Sequence, residues 1–195
     1  MLSTDDTELV AGIASGNYNS FTLLYDKYIK SLAHYGLKFT GDLNTVRDCL
    51  HDVFVSLWSR KEELQIQSSI KSYLVKSVRS SIIQKVNRNK KLRSITAENE
   101  EYDFTLSISP EETFLINENN RQVFDSVQKL ISTLTPKQKE VIYLRYYHEL
   151  SFDEIADQLN LSVKACYKLM NRAMVELRQN IPNAVFVLLY LIKHS

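Results

Sequence analysis

His51 and Asp52, with Cys49 two residues earlier, are the side chains of this 195-residue chain best equipped for metal or nucleophilic chemistry. A His-Asp dipeptide supplies two ligands of a metal-dependent phosphohydrolase centre, which needs further His and Asp ligands. The chain has four His, and none forms a second ligand pair. Cys49 and His51 make no nucleophile pair, because residues two apart on a helix point in different directions. No Gly-rich phosphate loop is present. The expectation is therefore no catalytic residue, no metal, no cofactor and no small-molecule substrate. The chain is not expected to be an enzyme.

What remains is the chemistry of charge and aromatic surface. The net charge is only +1, but its distribution is uneven. Between Leu64 and Ala97 lie the basic residues Lys71, Lys76, Arg79, Lys85, Arg88, Lys90, Lys91 and Arg93 and no acid. From Glu98 to Glu118 the sign reverses, with acids and no base. A basic block followed by an acidic one suggests a polyanion-binding surface and then a solvated connector. Tyr73 among Lys71, Lys76 and Arg79 offers cations for a phosphate backbone and a ring on which an unpaired base can stack.

Helices must position these groups. Gly and Pro are scarce, at four and three, and no alternating strand pair or internal repeat is apparent. Asp5 or Asp6 is expected to cap a first helix ending near Ser15, before Gly16 and Asn17. Ser20 to Lys38 reads as a second helix, with Phe21, Leu24, Tyr25, Tyr28 and Leu32 on one face. A third runs from beyond Gly41 and Asp42 to about Arg60, with Leu43, Val46, Leu50, Val53, Phe54 and Leu57 on its apolar stripe. A fourth is expected from Ile70 to about Arg88. Asn87 to Ser109 shows no sustained period and reads as a linker. Ser109, Pro110 and Glu112 form a helix-start signature for a helix reaching about Ser132.

The C-terminal part carries the sharpest pattern. Thr135 and Pro136 start a helix to about His148. Ser151 with Glu154 forms a capping box for the next, and Phe152, Ile155, Ala156 and Leu159 fall on a single buried face. Asn160 suits the left-handed backbone of a tight turn, Leu161 plugs it, and Ser162 caps a further helix. That helix places Val163, Cys166, Met170, Ala173, Met174 and Leu177 on one side. Lys164, Tyr167, Lys168 and Asn171 lie on the other, with Arg172 beside them and no acid on that face before Glu176. Such a face can enter a major groove, set cations near phosphates and offer amide or phenol groups to base edges.

The run LTPKQKEVIYLRYYHELSFDEIADQLNLSVKACYKLMNRAMVELR resembles region 4 of extracytoplasmic-function (ECF) sigma factors of the sigma-70 family. NTVRDCLHDVFVSLWSRKEEL and IKSYLVKSVRSSIIQKVNR resemble their region 2. The SVKACYKL variant most resembles sigma factors of Bacteroides-like bacteria. The resemblance implies an all-α chain of two small helical domains: region 2 over residues 1–92, an acidic flexible linker over 93–120, a region 4 helix-turn-helix over 121–181, and an apolar tail over 182–195. It implies that Asp48, His51 and Asp52 face the clamp helices of the beta-prime subunit of core RNA polymerase. Many members carry Gln at the His51 position. It further implies that the loop Gln67 to Ser69 and the residues Lys71, Ser72, Tyr73, Lys76, Arg79 and Ser80 capture the −10 strand of promoter DNA. Lys164, Ala165, Tyr167, Lys168, Asn171 and Arg172 then read the −35 element. Many relatives have Lys and Arg where this chain has Tyr167 and Leu169. An anti-sigma factor is the further partner implied.

Two other readings compete. The same helix-turn-helix pattern resembles the output domain of quorum-sensing and response-regulator proteins, which carry an α/β sensor or receiver absent from the N-terminal pattern here. A helical interaction module without DNA binding would draw on the acidic linker and the apolar tail. Met1 to Val10 has no apolar run and is not read as a signal peptide. The apolar stretch Ala184 to Ile192 is too short for the ~20 residues of a membrane helix, so no integral membrane protein is expected. Cys49 and Cys166 fall at apolar helical positions and read as reduced core residues of a cytoplasmic protein.

Overall fold

The computed structural model describes residues 4–63, 69–93, 102–106 and 128–180, with side chains for all of these but 4–5, 90–93 and 179–180. Every regular element among them is helical. The chain divides into two compact units, Met1–Asp103 and Phe104–Ser195.

The first unit contains α1 (Thr4–Ala14), α2 (Tyr18–Leu37), α3 (Leu43–Ser59), a 3-10 turn at Lys61–Glu63 and α4 (Ile70–Arg93). Helix α1 packs on α2, while α2, α3 and α4 pack on one another. The core between them holds Leu24, Leu32 and Tyr35 of α2, Val46, Cys49 and Leu57 of α3, and Leu74, Val78 and Ile82 of α4, all essentially without exposed surface. Each fully buried Leu or Ile contributes roughly 1.5–3 kcal/mol relative to an exposed one.

Helix starts follow local chemistry. The Asn17 side chain accepts from the Asn19 and Ser20 amides and starts α2 at Tyr18, two residues before the expected Ser20. Asp42 begins α3, accepting from the Asn44 amide at 3.0 Å and the Thr45 hydroxyl at 2.6 Å. The Thr45 hydroxyl first, then the Asn44 amide, hold the Asp42 carboxyl below its ordinary pKa. A lowered folded-state value means that this cap is fully present above the usual carboxylate range and fades as the pH falls through the lowered value.

Asp6 does not cap α1. The helix begins at Thr4, and Asp6 is buried with its carboxylate accepting from Lys27 Nζ at 2.8 Å and Tyr28 Oη at 2.7 Å. A buried carboxylate must have donors, and α2 supplies them. Two residues expected on buried stripes sit at the margin: Leu43 is 42% and Tyr25 38% exposed. Leu43 is the first residue of α3, where the helix has barely reached its neighbours.

The second unit contains α5 (Pro136–Tyr146), α6 (Phe152–Leu159) and α7 (Val163–Asn180), with residues 128–133 also helical. Both predicted caps are formed. Thr135 makes a capping box with Gln138 and has Pro136 beside it, and Ser151 makes one with Glu154. Each such cap is worth about 1 kcal/mol. Helix α5 ends at Tyr146, short of His148. The core holds Ile142 and Leu144 of α5, Ile155 and Leu159 of α6, and Cys166, Ala173 and Leu177 of α7.

The segment expected to be a linker is described only in part. Helix α4 carries five residues past Arg88 to Arg93. Tyr102 packs in the first unit against Phe39, with ring centroids 5.7 Å apart. Phe104 is fully buried in the second, 5.8 Å from Tyr143. Aromatic side chains thus anchor a stretch whose polar composition reads as solvated. The helix start at Ser109 and the apolar tail at 184–192 lie outside the described residues.

Gly36 marks a close approach of α2 to both α3 and α4. A Cβ there would meet Ile82 Cδ1 and Val46 Cγ1, both at 2.7 Å and both fully buried. Gly36→Ala should therefore overpack the junction and cost about 1–3 kcal/mol. Urea unfolding read by Trp58, the chain's single tryptophan, measures this in the relevant unit. Gly41→Ala, with nothing within 4 Å of its Cβ, is the control and should leave the midpoint unmoved.

Candidate nucleic-acid and polymerase interfaces

Helices α6 and α7 are joined by a turn whose geometry follows from one residue. Asn160 has φ 51° and ψ 48°, the left-handed conformation expected of it, and its amide donates to the Ala156 carbonyl. Leu161, half-buried, also donates its amide to Ala156, and the Ser162 hydroxyl accepts from the Ala165 amide at 3.2 Å. Two short hydrogen-bonded steps turn the chain and start α7. Ala156, 5% exposed, lies at this turn, consistent with close approach of the two helices.

Helix α7 is rotated so that Cys166, Met170, Ala173, Met174 and Leu177 are buried. Burial raises the Cys166 thiol above its ordinary pKa, which favours the neutral form. Cys49 is likewise buried, and both cysteines are free. Lys164, Tyr167, Lys168, Asn171 and Arg172 are exposed on the opposite side, and Ala165 is half-buried between the faces. Glu176 does not intrude on this surface: its Oε1 accepts from the Thr133 hydroxyl at 2.7 Å. The structure thus brings the −35 candidates together as one cationic and amide-bearing stripe.

On α4, Lys71, Tyr73, Lys76 and Arg79 are half-buried and Ser80 is exposed. Ser72 is 2% exposed, which removes it from the surface set. Its amide instead donates to the Ser69 hydroxyl at 3.1 Å, and Ser69 starts the helix. The Arg79 guanidinium lies over the Tyr102 ring, 4.9 Å from its centroid. A strand that takes Arg79 must share or displace that ring. Gln67 lies outside the described residues.

On α3, Asp48, His51 and Asp52 are all exposed along one stripe. Asp48 accepts from Lys85 Nζ of α4 at 2.8 Å, with the carboxylate 65% exposed. That bond holds the Lys85 ammonium above its ordinary pKa. An exposed pair of this kind adds little stability and leaves lone pairs for a partner's cation. The sequence reading passed over Val55, which continues the i, i+3, i+4, i+7 stripe from Asp48 and is 49% exposed. It also passed over Trp58 near the end of α3 and Tyr18 at the start of α2, whose rings meet edge-on at 5.7 Å. Helical spacing was the available signal for Val55. Nothing in one sequence signals the Tyr18 contact.

Among the described residues no group of three His, Cys, Asp or Glu is arranged to hold a metal ion, and no helix is long and apolar enough to cross a membrane.

A helical bundle carrying a half-buried basic helix, followed in the same chain by a helix-turn-helix with a cationic outer face, defines a two-part DNA-binding protein. Sigma-70 region 2 matches residues 24–92 and sigma-70 region 4 matches residues 124–177, together more than half of the chain. The chain belongs to the sigma-70 family and is of its ECF type. It is 26% identical over 159 residues to RNA polymerase sigma factor YlaC of Bacillus subtilis, covering 80% of this chain and 89% of the relative. It is 24% identical over 165 residues to ECF RNA polymerase sigma factor SigX of the same organism, covering 83% of each. Among solved structures it resembles CnrH in complex with the cytosolic domain of CnrY, at a TM-score of 0.55 and 21% identity, over 88% of this chain and 94% of that one. It also resembles RpoE in complex with the anti-sigma factor NepR from Bartonella quintana, at 0.58 and 15%, over 83% and 96%. The chain is accordingly an RNA polymerase sigma factor, a subunit that directs promoter-specific initiation.

The Asn160 turn sets how α7 leaves α6, and its backbone conformation disfavours a Cβ-branched or plain alkyl side chain. Asn160→Ala should lower the opening free energy of the α6 and α7 amides by about 1 kcal/mol. Asn160→Gly should change it far less, because Gly adopts φ > 0 freely. Native-state hydrogen exchange measures both, and equal protection in the alanine variant would contradict the role given to this turn.

Proposed function

We propose how the residues of this sigma factor divide the work of initiation. Asp48, His51 and Asp52 on α3 dock on the clamp helices of the beta-prime subunit of core polymerase. Lys71, Tyr73, Lys76, Arg79 and Ser80 on α4 capture the unpaired −10 strand, cations on the backbone and the phenol ring against a base. Lys164, Ala165, Tyr167, Lys168, Asn171 and Arg172 on α7 read the −35 element in the major groove. The observation that carries this reading is the α7 stripe: three cations, an amide and a phenol, all exposed, with Glu176, the first acid along α7, engaged by Thr133. Phosphate neutralisation supplies affinity, and the amide and phenol supply contacts to base edges.

The domain division proposed with it is region 2 over 1–92, a connector over 93–120 and region 4 over 121–181. A connector holding both DNA contacts in one molecule gives the second a high effective concentration once the first has formed. The factor works in the cytoplasm, where its polymerase is. An anti-sigma factor is a further proposed partner, supported by the fold likeness to RpoE, which was solved in complex with the anti-sigma factor NepR. The SVKACYKL run, with Tyr167 and Leu169 at positions often basic in relatives, supports the Bacteroides-like type.

Run-off transcription with core polymerase on a promoter library tests the whole. Promoter-specific transcripts are expected, and absence of both transcripts and core binding would overturn the reading. Lys168→Ala should weaken binding to −35 duplex and reduce its log–log salt slope by about one unit, as expected for one lost phosphate contact. Asp52→Ala should weaken binding of the full chain to core polymerase while its binding to −35 duplex stays the same. Undisturbed core binding would remove this face from the clamp interface.

A further inference from the structure

Phe152 is the first residue of α6 and was expected on that helix's buried face with Ile155 and Leu159. It is instead half-buried, and its ring stacks on Tyr167 of α7, with centroids 4.0 Å apart and planes 29° from parallel. The same Phe152 ring lies under the guanidinium of Arg145, 5.2 Å from the centroid. Arg145 is itself fixed, because its Nη1 donates to the Leu150 carbonyl at 2.8 Å across the turn between α5 and α6. Three helices of the second unit thus contribute to one aromatic and cationic stack, and its outermost member is Tyr167, still 55% exposed.

A tyrosine that merely protruded from α7 would sample several rotamers and lose that freedom on meeting DNA. Stacking on Phe152 removes much of it beforehand. The stack also fixes where the hydroxyl points, and a phenol hydroxyl both donates and accepts. The ring edge beside it can meet an apolar group such as the thymine methyl in the major groove. Lys164 and Asn171 flank Tyr167 at i−3 and i+4, with exposed Lys168 next along the helix, so a base-pair edge reached by the phenol lies within a surface already suited to the phosphates on either side.

We infer that Phe152 is a positioning residue for sequence readout: it holds the Tyr167 phenol against the edge of one base pair of the −35 element without itself touching DNA. The inference rests on the −35 assignment of α7 proposed above. It predicts that base preference at one position depends on a residue outside the recognition helix. Arg145, held by its bond to Leu150, supports the Phe152 ring in turn.

The test uses holoenzyme, formed from the full chain and core polymerase, to select from promoters randomised in the −35 element. Tyr167→Ala should flatten the preference at one position. Phe152→Leu keeps an apolar side chain at the start of α6 but removes the stack. It should reduce discrimination at that same position by about two- to tenfold, the factor expected from one aromatic pair. It should leave the remaining positions and the salt slope of binding unchanged. Phe152→Tyr preserves the stacked ring and should restore the preference. If Tyr167→Ala flattens a position that Phe152→Leu leaves intact, Tyr167 reads unaided and the inference falls. If Phe152→Leu weakens every position equally, its role is stability of the unit, and the inference falls also. If neither Tyr167→Ala nor Lys168→Ala alters any −35 preference or affinity, the −35 assignment of α7 itself is wrong, an outcome distinct from the other two.

Discussion

A helix in a small bundle can bury only one stripe, and what it leaves to solvent is fixed by what it buries. Successive residues turn by about 100° around the axis, so a core stripe dictates the rotation of every other side chain. On α7, burial of Cys166, Met170, Ala173 and Leu177 leaves Lys164, Tyr167, Lys168 and Asn171 facing outward together. On α3, burial of Val46, Cys49, Leu50 and Leu57 does the same for Asp48, His51, Asp52 and Val55. The proposed interfaces are thus the complement of two hydrophobic cores. Neither needs a specialised loop.

Placement of the helices relative to one another rests on a few steric points. Gly36 lets α2 approach Val46 of α3 and Ile82 of α4. Asn160, in the left-handed region, turns α6 into α7 within three residues. The caps at Asn17, Asp42, Thr135 and Ser151 set where four of the helices begin. Each of these is worth on the order of 1 kcal/mol. Against a typical domain stability of about 5–15 kcal/mol they matter, and they also decide which residue on each helix comes first.

Sigma function adds a requirement of its own. Tyr102 on Arg79, and Lys85 on Asp48, show cations and acids of the proposed interfaces already engaged within the chain. These contacts are exposed or half-exposed and individually weak. A polymerase or DNA strand can therefore exchange them for its own groups at modest cost, which suits a subunit that joins and leaves its enzyme.

Much of this was legible in the residues. Periodicity carried the helical class and the outward face of α7, because a repeat of 3.6 survives in sequence whatever packs against it, while the two-part organisation came with the resemblance to sigma-70 regions 2 and 4. Capping chemistry gave Ser151 with Glu154, Thr135 with Pro136, and the turn at Asn160, since each involves groups within four residues. Contacts distant in sequence were not legible. Asp6 reads as a cap and proves to be a buried carboxylate held by Lys27 and Tyr28. Ser72 reads as part of a DNA-facing set and proves to be buried. Tyr102 and Phe104 sit in a polar, aperiodic stretch and prove to be anchored aromatics. Phe152 reads as core and proves to be the ring on which Tyr167 rests. The sequence determined which faces exist, because local hydrogen bonding and helical period are properties of neighbours along the chain. Only the tertiary structure decided which side chain of one helix meets which of another, because that depends on crossing geometry and close packing that no single helix encodes.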